Sequence, residues 1–280
     1  MELKRFEIYQ RHGGLPSLRD STNGEVMHPG GDPAREAREL YVEQPRLEQR
    51  LAMPSPDPLV VWDVGLGAAT NAVAVLSLAR RMADEGRLAR PLHLESFELY
   101  LEAPRLVLQQ AMSFPWLQQT WVRHALGSVL QGSWRKDLIT WRLFDGDFLQ
   151  TAARAEQPHI VLYDMFSAKS FAPHWTPQCF EMIRSLSFSE SSLSVEEGTA
   201  LFTTTLSTAV RSAMLAGGFY VAQGQPSGPK LETTVATTVQ AGPYLWLGER
   251  WMQRFERNPD QKNWDAGLRQ AVLSHPQFKT

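Results

Sequence analysis

The chain has 280 residues, 43% of them hydrophobic and 21% charged, and a formal net charge of −2, the profile of a soluble globular protein rather than a globally basic nucleic-acid binder. One cysteine, Cys179, excludes a disulfide framework and a cysteine-only metal site, and no metal is expected. No run of about 20 apolar residues offers a membrane span and no apolar signal segment opens the N-terminus, so the expectation is a cytoplasmic protein in which any RNA contact needs a local basic patch.

Residues 1–56 read as an N-terminal appendage. Phe6, Ile8 and Tyr9 begin a small strand, and the Gly-, Ser-, Asn- and Asp-rich run from Arg11 to Asp32 reads as hairpins or loops. Asp32-Pro33 then opens a helix, with Asp at the cap and Pro in the first turn.

Leu59 to Asn71 organises the rest. Leu59-Val60-Val61-Trp62 is apolar throughout, as a parallel strand covered on both faces is. Asp63, Gly65 and Gly67 follow, then a helical run from Ala68 to Met82. Strand, glycine turn and helix form the first half of a nucleotide-binding α/β unit. The third glycine of a dinucleotide fingerprint is absent, since position 70 is Thr70, and no Gly-Lys-Ser/Thr signals a phosphate-cradling loop. An acid two residues before the first glycine is the layout of S-adenosylmethionine methyltransferases; the plainer reading is an ordinary β-α turn.

Further strands are expected at Leu92 to Glu98, Leu138 to Phe144, His159 to Asp164 and Thr199 to Thr205. Helices are expected at Ala103 to Met112, Trp116 to Leu130, Thr176 to Leu186 and Leu206 to Leu215. Ser187 to Ser194 reads as a connector, and a distal hairpin pairs Phe219 to Ala222 with Leu231 to Thr237. Residues 57–240 thus make one α/β domain, with residues 241–280 as a tail packed on it. Glu98 falls where an acid accepts both ribose hydroxyls of an adenosine cofactor; the plainer reading is a solvated carboxylate at a loop. Asp147, after the third strand, reads as a contact to the adenine amino group, as a helix cap, or as both. Asp63, Glu98, Asp147 and Asp164 all fall at carboxyl ends of strands, where open α/β sheets bind ligands.

Together these residues resemble the MnmC-type methyltransferase family, which makes 5-methylaminomethyl-2-thiouridine at the tRNA wobble position, in a form without the fused FAD-dependent oxidase domain. The resemblance covers roughly residues 12–237. It rests on Gly65, Gly67 and Asn71, on Ser96-Phe97-Glu98, on Gly146-Asp147, on Asp164-x-Phe166-Ser167 and on Trp175-Thr176. Gly24-Glu25-Val26-Met27-His28, Arg35-Glu36-Ala37, Ala216-Gly217-Gly218-Phe219 and Gly228-Pro229-Lys230 are similar to further family segments. Ala69 replaces the family's third glycine, and the loop Ser167-Ala168-Lys169-Ser170-Phe171-Ala172-Pro173 lacks its first proline and carries Phe171 at its asparagine position.

The resemblance implies a Rossmann-like class I S-adenosylmethionine methyltransferase sheet with helices on both faces, a distal antiparallel hairpin and a small N-terminal appendage. It implies S-adenosylmethionine as cofactor, held by Asp63, Gly65, Gly67, Asn71, Glu98 and Asp147, and tRNA as partner. Asp164 becomes the catalytic residue, and Phe166, Lys169, Trp175 and His28 the substrate contacts; core packing reads Phe166 and Trp175 equally well, and a solvated loop lysine reads Lys169. Two alternatives stay open: a same-fold methyl- or aminopropyltransferase for a small amine, and a non-catalytic adenosine-binding module.

Overall fold

The computed structural model describes residues 5–10, 14–27, 31–188, 198–227, 230–258 and 266–279. The chain begins with a two-stranded antiparallel hairpin, β1 (Phe6–Gln10) with β2 (Pro16–Asp20). Helix α1 (Pro33–Arg38) is capped by Asp32, whose side chain accepts from Ala34 N and Arg35 N. It continues into a π-helical turn, Glu39–Glu43, and is followed by α2 (Leu47–Ala52).

The main body alternates strand and helix: β3 (Leu59–Val64), α3 (Thr70–Asp84), β4 (Leu92–Glu98), α4 (Glu102–Gln109), α5 (Thr120–Val129), β5 (Ser133–Lys136), β6 (Ile139–Asp145) and α6 (Phe148–Thr151). It proceeds through β7 (Ile160–Tyr163), α7 (Pro177–Ser185), β8 (Ala200–Thr203), α8 (Thr208–Ala216), β9 (Tyr220–Gly224) and β10 (Thr233–Thr237). The C-terminal segment adds β11 (Leu245–Trp246), α9 (Glu249–Arg257) and α10 (Ala266–Leu273). Nine strands form one mixed sheet in the order β11-β9-β10-β8-β7-β3-β4-β6-β5. The five from β8 to β6 run parallel, and β5, β9, β10 and β11 are joined by antiparallel pairings. The expected α/β architecture, with helices on both faces, is therefore the fold.

β3 is buried from end to end because both its faces are covered. Leu59 and Val61 enter the core under α3, α4 and α5, which also takes up Phe6, Leu18 and Leu40 from the N-terminal segment. Val60, Trp62 and Val64 enter the opposite core with side chains of α7, α8, α9 and α10. From the tail, Leu247, Trp251, Phe255 and Val272 are buried in that second core, Tyr244 and Trp246 pack against the first, and β11 extends the sheet beside β9.

Three differences from the sequence reading have local causes. The helix expected from Trp116 starts at Thr120, because Pro115 begins a separate short turn over Pro115–Leu117. The edge strand β5 escaped notice because three of its four residues are polar and only Trp134 is buried. The distal pair β9 and β10 does form, and β10 also inserts between β8 and β9. The serine connector lies largely outside the described residues, as do His28, Gly228, Pro229 and Trp264.

Candidate active site

From β3 the chain crosses to β4 on one side, whereas β7 lies against the other side of β3. Connections leaving in opposite directions open a crevice at the carboxyl ends of β3 and β7. Gly65 and Asp164 stand on its two banks: a Cβ added at Gly65 would meet Asp164 O at 2.8 Å, and Gly65 has φ +95°. Only glycine tolerates both the left-handed backbone and that approach. Above the crevice lies a cavity of about 540 Å³. Its walls come from the glycine turn, the ends of β4 and β7, loop 165–175, the segment after β8 and residues 25–27 of the N-terminal segment.

The glycine turn is held mainly by backbone bonds. Gly65 N and Leu66 N both donate to Phe97 O at 3.1 Å, and Gly67 N donates to Glu98 Oε2 at 2.7 Å. Glu98 Oε1 accepts from Tyr100 N at 2.8 Å. Burial pushes the Glu98 carboxyl up, against these N–H donors. Ala69, between the turn and α3, has φ +60° and ψ +16°, a left-handed conformation that costs an L-residue about 1–2 kcal/mol. The replacement of the third glycine therefore falls on a position where glycine would be relaxed. Helix α3 has no side-chain cap. Thr70 Oγ1 and Asn71 Oδ1, both in its first turn, are buried without a hydrogen-bond partner.

The predicted acids part into two groups. Asp63, Glu98 and Asp164 gather around the turn. Asp63 lies beneath it, 1% exposed, with Oδ2 accepting from Ser96 Oγ at 2.7 Å and Oδ1 unpartnered. Burial first, then the charges of Asp164 and Glu98, push the Asp63 carboxyl up to about 7, against the Ser96 bond. Asp164 Oδ2 accepts from Asn71 Nδ2 at 2.8 Å, so the predicted catalytic residue and one predicted cofactor residue are joined. Asp147 stands apart: it caps α6 by accepting from Leu149 N and pairs with His174 Nε2 at 2.9 Å. The cavity wall there is Gly146 and Phe148.

Loop 165–175 carries the predicted substrate residues. Phe166 stacks between Phe6, at 6.4 Å, and Phe171, at 5.6 Å. Trp175 Nε1 donates to Phe166 O at 2.8 Å. Phe166, Lys169, Phe171 and Trp175 all face the cavity. The rings of Phe166 and Trp175 pack against neighbouring aromatics and also line the cavity.

Several lining residues escaped the residue-by-residue reading. Glu25 reaches across from the N-terminal segment to Ser167 N at 2.7 Å and to the hydroxyls of Ser167 and Ser170. Glu36 lines the cavity from α1. Lys230 donates Nζ to Thr204 O at 2.8 Å on the far wall. All three lie in segments whose likeness to a family was already visible, and that was the available signal. Tyr41 had none. The π-helical turn buries it with its hydroxyl beside Asp164, and burial, then that carboxylate's charge, raises its pKa well above the ordinary phenol value. Single π-turns of this kind often mark functional positions.

Carboxylates outnumber cations in the cavity: Glu25, Glu36, Glu98 and Asp164 face Lys169 and Lys230. The site is therefore suited to positively charged small groups. The basic patch expected for RNA does not lie within it.

No family model matches the chain. It is 27% identical over 223 residues, 75% of its length, to the tRNA 5-methylaminomethyl-2-thiouridine biosynthesis bifunctional protein MnmC of Pseudomonas putida (strain W619). The chain spans about a third (31%) of that protein. MnmC2 from Aquifex aeolicus, a solved structure, superposes with a TM-score of 0.67 at 18% identity, covering 97% of this chain and 84% of that one. At that identity the likeness bears on the fold. The rRNA methyltransferase aviRa from Streptomyces viridochromogenes, 15% identical over 71% of this chain and 88% of its own, reaches a TM-score of 0.33, too low to bear on this chain.

Proposed function

Starting from sequence and fold that agree on an MnmC methyltransferase-type domain, we propose that this chain transfers a methyl group from S-adenosylmethionine to the aminomethyl nitrogen of a modified wobble uridine in tRNA. The observation that carries the reading is the three-carboxylate cluster Asp63, Glu98 and Asp164 around a close-approach glycine turn at the sheet's switch point. Among the described residues no lysine or arginine ion-pairs with these acids, so a cationic sulfonium is the natural counter-charge. The unpartnered Thr70 Oγ1, Asn71 Oδ1 and Asp63 Oδ1 supply polar atoms at the same place. The residues present thus fit the cofactor.

In this reading Glu98 holds the ribose hydroxyls, and Gly65 and Gly67 let the ligand approach the backbone. Asp63 supports the turn from below. When bound, S-adenosylmethionine would supply an activated methyl: the amine lone pair bonds to its carbon as the carbon–sulfur bond breaks, sulfur keeping the bonding electrons and leaving as the thioether. Asp164 orients the neutral amine and accepts its proton at Oδ1, while Asn71 holds Oδ2. Phe166, Phe171 and Trp175 offer faces for a flipped base. Lys169 meets a phosphate. Asp147 acts on the adenine side through His174 and the α6 cap. His28 is retained as an entrance residue on sequence grounds alone.

The acid-rich mouth, with Glu25 and Glu36, favours a second reading: a same-fold transferase for a small cationic amine. Calorimetric titration with S-adenosylmethionine and S-adenosylhomocysteine, followed by methyl transfer to tRNA lacking the terminal methyl group or to small amines, separates the two. Asp164→Ala is expected to lower turnover at least ~100-fold, as loss of a positioned acid–base group does, with S-adenosylhomocysteine affinity within about threefold of the parent. Retained turnover would remove Asp164 from the mechanism.

A further inference from the structure

Helix α9 is amphipathic, and its polar face is sorted by charge. Trp251 and Phe255 are buried against the core, and Arg250, Arg254 and Arg257 are exposed at spacings of four and three residues, which align on one face of a helix. Glu249 and Glu256 fall on the other side of the polar face by the same geometry. Some exposed arginines are balanced, Arg19 by Glu7, Arg38 by Glu43, and Arg87 by Glu48 and Glu85, whereas Arg46, Arg105, Arg135, Arg154 and Arg269 are exposed singly on other elements. Among the described residues no carboxylate pairs with Arg250, Arg254 or Arg257. What sets α9 apart is that its three arginines align within two turns of one helix, in a chain of net charge −2.

We propose that the Arg250–Arg254–Arg257 face of α9 is a docking surface for the phosphate backbone of RNA, the macromolecular substrate of the reaction proposed above, on which this inference rests. One residue of the ridge, Arg254, lies near enough to Arg211 of α8 for its charge to act there, and Arg211 is bonded toward the cavity wall. Burial, and then the charge of Arg254, hold the Arg211 guanidinium below its ordinary range, against the pull of Glu232. Arg211 Nε donates to Thr234 Oγ1 at 2.9 Å, and Thr234 Oγ1 donates to Thr205 O at 2.6 Å. Thr205 and, one turn before Arg211, Ser207 line the cavity wall. Arg254 thus lies near α8, which leads to that wall, and none of the three arginines lines the cavity.

Charge selects the occupant. Guanidinium groups pair bidentately with phosphate oxygens. Seven helical positions at 1.5 Å each extend about 10 Å, a length that meets roughly three phosphates of one strand. The apolar face of α9 is already spent on Trp251 and Phe255, so the helix has no apolar stripe with which to lie on a lipid surface. The division of labour is consistent: a negative pocket takes the cationic groups, and a positive ridge outside it takes the backbone.

The test is fluorescence anisotropy of the full chain with a labelled tRNA transcript across a salt series, with methyl transfer measured in parallel. R250Q/R254Q/R257Q is expected to weaken RNA binding on the order of 10- to 100-fold near 0.1 M salt and to flatten the log–log salt slope by about 2. Its KM for tRNA rises, its kcat and S-adenosylhomocysteine affinity are unchanged, and R250K/R254K/R257K retains most of the slope. The control R80Q/R81Q on α3 leaves RNA binding as in the parent. A parent that methylates tRNA while the triple Gln variant keeps affinity and slope overturns the docking surface alone. An equal loss in the control does the same. A parent that neither binds nor methylates tRNA overturns the surface and the proposed reaction together. Binding of the parent to anionic phosphatidylserine vesicles but not to tRNA overturns the assignment to RNA.

Discussion

The cavity wall around the glycine turn and the wall made by loop 165–175 are held by different kinds of bond. At the turn, Gly65, Leu66 and Gly67 are fixed by their own N–H groups to Phe97 O and Glu98, one strand away. The loop is fixed by side chains: Glu25 on Ser167 and Ser170, Trp175 on the Phe166 carbonyl, and the ring stack Phe6–Phe166–Phe171. A backbone-held wall keeps its hydrogen bonds whatever side chain stands there, and it is broken only where a Cβ has no room or proline removes an N–H. A wall held by side chains can be re-cut by single substitutions. In the proposed reaction the first wall meets the cofactor and the second meets the acceptor, so acceptor preference can drift while cofactor binding stays.

Substitutions at the turn sharpen this contrast most. Gly65→Ala places a Cβ 2.8 Å from Asp164 O at φ +95°. It is expected to cost roughly 2–4 kcal/mol of stability and to lower S-adenosylhomocysteine affinity more than ~100-fold. Thermal denaturation and calorimetry measure both, and an unchanged affinity would mean that the turn is not the cofactor wall.

Asp63 gives a pH-dependent effect. Its folded pKa of about 7 lies above the unfolded value of ~3.9. Between those values the folded state holds a proton that the unfolded state has released, so this group's contribution to stability falls as pH rises from about 4 to about 7 and is level above. Asp63→Asn is therefore expected to be more stable than the parent at about pH 8, by on the order of 2–4 kcal/mol, and equal to it near pH 4. Melting curves across that range check the sign; a gap that widens toward acid would refute the assignment.

On the loop side, Glu25→Gln removes the charge that collects three donors from Ser167 and Ser170. KM for the acceptor is expected to rise several-fold, about 1 kcal/mol, with cofactor affinity unchanged. A matching loss of cofactor affinity would break the comparison by making the two walls one unit. The smallest effect is at Ala69. Ala69→Gly relieves the strain of φ +60° and is expected to raise stability by about 0.5–1 kcal/mol, part of the relief being returned as glycine's extra unfolded-state freedom.

How far each wall was legible follows from the same contrast. The place of the glycine turn, Glu98 and Asp164 at the cavity was readable because it comes from position along a strand: an apolar run, then an acid or a glycine at its carboxyl end. Asp147 was readable as a cap, and its partner His174 was not, since their pairing spans 27 residues. Tyr41 offered no sequence signal, because its value lies in one unusual helical turn that brings it against Asp164. The arginines of α9 were visible as charges in a tail without a role. Their meaning depends on which face of the helix Trp251 and Phe255 bury.

The sequence alone determined the alternation of the parallel strands with their helices, the switch-point turn and the acids at the strand ends, because hydrophobic period and glycine placement act over a few residues. The tertiary structure decided that Asp63 is sealed beneath the turn at a raised pKa, and that the N-terminal segment closes the loop through Glu25. It also decided that β10 inserts beside β8 and that α9 buries Trp251 and Phe255, leaving its three arginines exposed. Those outcomes depend on which distant surfaces meet, and burial, charge balance and hydrogen-bond partners exist only once they have met.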